Sequence, residues 1–101
     1  MKIVIVMAIR EFEEAVKKLF KSAKIRRFSY LNSTDYQYIS EEHFEGNWFG
    51  QELHEVEAVV FYAFSSQEEI NDLAKNIAEF NAQHESTDPI RWMSFKIDNC
   101  N

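Results

Sequence analysis

His43 and His54 stand among Glu41, Glu42, Glu45, Glu52 and Glu55, so imidazole and carboxylate oxygens occur together in one short stretch. That combination is able to ligate zinc or another divalent ion. No HxH or HxxxH spacing sets two imidazoles on one face, and a solvated acidic loop explains the same residues with less. His84 falls at the end of a helical pattern, where a cation suits the helix dipole, and is expected to be structural. Cys100 is the single cysteine, so there is neither a disulfide framework nor a thiolate pair for a metal. The only glycines are Gly46 and Gly50, which excludes a glycine-rich phosphate loop. No GxSxG nucleophile elbow occurs either. The chain is therefore not expected to be an enzyme, and no cofactor is assigned.

Aromatic side chains make a different case. Tyr36, Tyr38, Phe44, Trp48 and Phe49 lie between Asn32 and His54, a stretch that also holds Ser33, Thr34, Asp35, Gly46, Asn47 and Gly50. Residues 32–54 read as one long insertion, and a loop of roughly 20 residues inside a compact domain is usually functional or disordered. Large rings in such a segment are typical anchors for a partner protein or a flat ligand. Trp48 and Phe49 are equally able to tuck against the sheet or a neighbouring subunit, and the two readings stay open.

These residues sit in a chain of 101, the length of one domain. Apolar residues make up 46%, and nine of them are Phe, enough for a core or interface rich in rings. The net charge is -6, and Lys17, Lys18, Lys21, Lys24, Arg26 and Arg27 form the only basic cluster, expected to be a solvated face balanced by Glu11, Glu13 and Glu14. Nucleic-acid binding needs denser phosphate-neutralising charge, so no nucleic-acid partner is expected. No run approaches the roughly 18 apolar residues of a membrane span. The first residues, Met1-Lys2 and a short apolar run, do not make a signal peptide, and a cytoplasmic location is expected.

The elements that position the candidates follow from periodicity. Residues 2–8 and 56–64 read as strands, residues 11–23 as a helix, and Ile25 to Leu31 as an edge strand bearing Arg26 and Arg27. A second helix opens at Ser65-Ser66-Gln67-Glu68-Glu69, where Ser65 with Glu68 and Ser66 with Glu69 both have capping-box spacing. Ile70, Leu73, Ala74, Ile77 and Ala78 form its buried stripe. Asn81 to Pro89 reads as a polar connection, and Ile90 to Ile97 as the last strand. The order βαββαβ predicts an α+β, ferredoxin-like sandwich: a four-stranded antiparallel sheet with two helices on one face. Right-handed crossovers put the first and third strands at its centre.

Those two strands, Lys2–Ala8 and Val56–Phe64, are apolar on both faces. A strand with one face in water alternates, whereas one covered on both sides reads as a continuous apolar run. Two helices cover only one face, so something else covers the other. Self-association is the favoured answer; the long insertion folding back, or a flat apolar ligand, are the alternatives.

The whole chain resembles the PII-like proteins, relatives of the nitrogen regulatory PII signal transducers. The resemblance rests on the βαββαβ order, on Ile25-Arg26-Arg27-Phe28-Ser29-Tyr30 after the first helix, on the long insertion, and on Asp88-Pro89-Ile90-Arg91 leading into the last strand. It implies a single domain over residues 1–101 and a homotrimer with inward-facing sheets. It also implies a T-loop at 32–54 that contacts a partner protein, a transporter being one kind, and small ligands in clefts between subunits. The connection Asn81 to Asp88 lacks the glycines and lysines that cradle phosphates in the nitrogen regulators, so weak or absent ATP binding is expected. Two other functions are weighed beside this one: a dimeric α+β-barrel small enzyme, and a metal-binding module using His43 and His54.

Overall fold

In the computed structural model, described over residues 1–38 and 53–99, the chain runs β1 (Lys2–Ile9), a single 3-10 turn (Arg10–Phe12), α1 (Glu13–Ser22), β2 (Ser29–Tyr38), β3 (Leu53–Ser65), α2 (Gln67–Gln83) and β4 (Arg91–Lys96). The four strands form one antiparallel sheet in the order β2-β3-β1-β4. The two doubly apolar strands are its centre, as the crossover rule requires.

Register assigns the faces. Val4, Val6 and Ala8 lie opposite Ala63, Phe61 and Val59, and all six are buried under the helices. Val16 and Phe20 of α1, with Ile70, Leu73 and Ile77 of α2, complete that core. Phe20 stacks on Phe28 at 4.9 Å between ring centroids and lies 5.8 Å from Phe61, so one aromatic cluster joins α1, the approach to β2 and the central strand. Phe12 meets Phe80 edge-on at 5.1 Å, linking the start of α1 to the end of α2.

The opposite face carries Ile3, Ile5, Met7 and Ile9 of β1, facing Phe64, Tyr62, Val60 and Ala58 of β3. Leu31 of β2 and Met93 and Phe95 of β4 extend it. No described element covers this face. Leu31 is 61% exposed there and Phe95 51%, against 0% for Val6 and Phe61 on the helical side.

Two local devices fix the helices. Of the two possible capping boxes, Ser66 and Glu69 make the one that forms: the Glu69 amide donates to Ser66 Oγ, and the Ser66 amide donates to Glu69 Oε1 at 2.8 Å. At the end of α1 the Ile25 amide donates to the Phe20 carbonyl and the Lys24 amide to the Lys21 carbonyl, each at 3.0 Å. This is a Schellman turn, with Lys24 at φ 65 in the position that glycine usually fills.

Three boundaries differ from the sequence expectation. β2 starts at Ser29 because Ile25 is drawn under the helical layer, where it is buried, rather than into the ladder. α2 continues through Asn81 to Gln83. Residues 32–38, 53 and 54, expected in the insertion, are instead paired strand: Asn32 faces Val59 and the ladder continues to Tyr38 opposite Leu53. Beyond Ala58, β3 has no partner in β1, so Thr34–Tyr38 and Glu57–Leu53 form a two-stranded arm projecting from the sheet. Both faces of that arm meet solvent, which removes the apolar alternation by which strands are recognised.

Asn81 pins the approach to β4. Its Nδ2 donates to the Ile90 carbonyl at 2.9 Å, and the Ile90 amide donates to its Oδ1 at 3.0 Å. The side-chain amide thus acts as a one-residue strand partner. Asn81→Leu leaves both backbone groups of Ile90 unpaired in a part-buried site and is expected to cost about 2 kcal/mol, read from chemical denaturation. Phe61→Ala is expected to lower stability by about 3–5 kcal/mol in the same assay, since it opens a cavity in the centre of the aromatic cluster.

Candidate functional site

The sheet, the arm and the connection before β4 enclose a cleft of about 830 Å3, within the range of small-molecule sites. Its floor is the end of β1, Met7 to Ile9, with Val56 of β3. Thr34, Asp35, Tyr36 and Gln37 at the base of the arm make one wall, and Thr87, Asp88, Pro89 and Arg91 make the other. The second wall has a local scaffold. The Asp88 amide donates to Ser86 Oγ at 3.0 Å, and Pro89 leads directly into Ile90, which Asn81 holds. Thr87 Oγ1 donates to Asp88 Oδ2 at 3.4 Å, a long contact that leaves most of the carboxylate free to meet a ligand.

The lining has a definite electrostatic character. The described lining combines two carboxylates, Asp35 and Asp88, one guanidinium, Arg91, and the hydroxyl and amide groups of Thr34, Thr87 and Gln37. Such a set orients a polar molecule by a few hydrogen bonds and takes at most a small negative charge, at Arg91. Among the described residues that line the cleft there is no lysine and no glycine, the residues that usually wrap a polyphosphate.

The sequence candidates divide accordingly. Tyr36 lines the cleft. Tyr38 lies further out on the arm, exposed, opposite the exposed Leu53. His54 is on β3 opposite Gln37 and is exposed. His43, Phe44, Trp48 and Phe49 lie outside the described residues. Among the described residues no group of three or more His, Cys, Asp or Glu side chains is placed to hold a metal ion. His84 caps α2 and stacks on Phe80 at 4.0 Å, with Nδ1 donating to the Phe80 carbonyl at 3.0 Å, which accounts for it structurally.

Asp35, Thr87 and Arg91 were not legible as site residues from their types. Each is a common surface residue, and the positions are far apart in sequence. The signal that points near them is the Asp88-Pro89-Ile90-Arg91 run, which marks the approach to the last strand.

No protein-family model matches the chain, and no curated protein sequence matches it. Solved structures do. The Bacillus subtilis GlnK–ATP complex superposes with a TM-score of 0.69 at 10% identity, covering 96% of this chain and 82% of that one. CutA from Nostoc sp. PCC 7120, a PII-like protein in apo form, gives 0.65 at 18% identity, covering 98% and 83%. CPII from Thiomonas intermedia K12, a nitrogen regulatory PII-like protein bound to ADP, AMP and bicarbonate, gives 0.62 at 10% identity over 99% and 94%. At these identities the likeness is one of fold. The chain carries the ferredoxin-like fold of the PII-like proteins, over almost its whole length.

Proposed function

We propose that this protein is a PII-like regulator: a homotrimer that binds a small ligand in the cleft at the base of the β2–β3 arm and passes its occupancy to a partner protein through the insertion. The observation that carries this is the cleft itself. It joins the root of the insertion to the connection before β4, so a ligand there touches the segment that would reach a partner. Tyr36 and Tyr38 stand on that segment, and Phe44, Trp48 and Phe49 continue it in sequence. A transporter is one kind of partner that such an arm suits, and a cytoplasmic location fits the same role. No described helix is long and apolar enough to cross a membrane.

The uncovered sheet face supports the oligomer. Leu31, Phe64, Met93 and Phe95 are exposed together with the half-buried residues of β1, an apolar surface of the kind that an obligate assembly buries. A closed ring of three copies, sheets inward, covers it without adding an element. The enzyme alternative predicts a dimer instead. The metal-binding alternative rests on His54 with His43 and predicts a melting shift with zinc or copper that His54→Ala abolishes.

Ligand preference follows from the wall charges. Each phosphate added to a ligand brings negative charge towards Asp35 and Asp88 with only Arg91 to offset it. The neighbours bind ATP in one case and ADP, AMP and bicarbonate in another, and the acidic wall favours the less charged members of that group.

Light scattering of the native protein is expected to give three times the chain mass of 12.0 kDa. Leu31→Glu places a charge on the uncovered face and is expected to reduce the mass to that of one chain with helical content unchanged. A native dimer turns the assignment towards the small enzyme, and a native monomer removes the regulator. In a thermal-shift assay at millimolar ligand, AMP or bicarbonate is expected to raise Tm by about 5 °C, with ADP less effective and ATP least. Arg91→Gln is expected to abolish the shift. If ATP is the strongest ligand, the electrostatic assignment of the cleft fails; if none of the four shifts Tm, that ligand class is rejected.

A further inference from the structure

Six of the eleven Lys and Arg residues fall between positions 17 and 27, and no Asp or Glu occurs between Glu14 and Asp35. A chain of net charge -6 thus concentrates more than half of its Lys and Arg residues in one stretch. In the structure that stretch encloses a second recess, of about 620 Å3, lined by Lys17, Lys21, Lys24, Ile25, Arg26 and Phe28. It lies at the opposite end of the sheet from the cleft, because α1 starts where β1 ends and runs back along it. The acidic groups of the arm are therefore remote from it.

The recess has an apolar floor and a cationic rim. Ile25 is buried and held by its amide bond to the Phe20 carbonyl, and Phe28 is stacked on Phe20 and touches the Phe61 cluster. The floor is thereby fixed to the core. Backbone donors of the Schellman turn already satisfy the Leu19, Phe20 and Lys21 carbonyls, so the lysines are not needed to cap them. Lys17 is occupied: it donates to Glu14 at 2.9 Å and Glu13 at 3.3 Å, and it lies 5.3 Å from the centre of the Tyr30 ring. The Glu14 hydrogen bond raises its pKa. Lys21, Lys24 and Arg26 are exposed and have no carboxylate partner among the described residues. The expected balancing of this cluster by Glu11, Glu13 and Glu14 is thus realised only at Lys17.

We propose that this recess docks an acidic segment of a partner protein, seating one apolar side chain on Ile25 and Phe28 and placing its carboxylates on Lys21, Lys24 and Arg26. Charge complementarity selects an anionic occupant. The free cations are spread from the last turn of α1 into the extended segment after it. A chain with several carboxylates meets them in sequence, while a single head group meets one or two. The enclosed apolar floor gives that chain an anchor point, which a flat anionic membrane surface would not use.

The probe is a seven-residue peptide of aspartate and glutamate with one central leucine, titrated into the isotope-labelled full chain and followed by amide chemical shifts. Shifts confined to residues 21–28 and lost at high salt are expected. Replacing the leucine by serine is expected to weaken binding about fivefold. Lys24→Gly suits the positive φ of the turn and removes a charge without disturbing it. Combined with Lys21→Gln, it is expected to weaken binding about tenfold, with the Phe28 and Ile25 resonances of the free protein little changed. The proposal is overturned by an absence of shifts at millimolar peptide, by shifts centred elsewhere, or by affinity that does not depend on the leucine. It is equally overturned if phosphatidylglycerol vesicles, and not the peptide, bind through Lys21 and Lys24. None of these outcomes depends on the cleft or on the oligomeric state.

Discussion

The pairing of β1 with β3 is the constraint on which the rest of the molecule depends. Eight consecutive residue pairs, from Lys2 with Ser65 to Ile9 with Ala58, set two apolar strands side by side at the centre of the sheet. One set of side chains then points to the helices and one points away, and both sets are apolar. Val4, Val6, Val59 and Phe61 gain a complete core from α1 and α2. Ile3, Ile5, Met7, Val60 and Tyr62 gain only the edges of their neighbours. The burial term that folds the chain on one side is thus left incomplete on the other. The proposed self-association through that face would satisfy the strands without altering the domain.

The same pairing sets the position of the cleft. β3 continues past the end of β1, and β2 follows it, so the arm leaves the sheet where the floor of Met7 to Ile9 ends. Asn81 supplies the complementary wall by holding Ile90 as a strand would. A polar residue at the end of an otherwise amphipathic helix has a defined task here: it satisfies two backbone groups that the start of β4 would leave open. Asp88 and Arg91 then lie on either side of a fixed point. The cleft is built from strand ends and a pinned connection, with the arm as its one projecting part.

Charge is partitioned over the domain in a way that composition conceals. Among the described residues the carboxylates are spread over the start of α1, the arm and α2, while six of the eleven cations cluster from Lys17 in α1 to Arg27 before β2. The net value of -6 sums that cationic stretch with carboxylates carried by the start of α1, the arm, α2 and the chain around β4. Aromatic stacking from Phe28 through Phe20 to Phe61 ties the basic end to the centre of the sheet, which keeps its apolar floor in place although the cations around it are exposed.

Local patterns carried much of this fold in the sequence. Continuous apolar runs identified β1 and β3, three-and-four spacing identified both helices, and Ser66 with Glu69 marked the start of α2, because each signal lies within a few residues and acts through nearest neighbours. Their order alone placed β1 and β3 at the centre. Pairing across the chain decided the remainder. The ladder from Asn32 to Tyr38 has no apolar alternation, since both faces of the arm meet solvent, and it exists because β3 offers a partner strand. Ser65 and Ser66 were equivalent until the end of β3 buried Ser65 and left Ser66 at the helix start. Asp35 and Arg91 become neighbours of one cleft only when β2 and β4 take their places on opposite sides of the central pair. Sequence determined which segments form and which faces are apolar, because those depend on local periodicity. Tertiary structure decided register, the reach of the arm and the membership of the cleft, because those depend on contacts between residues that the sequence holds far apart.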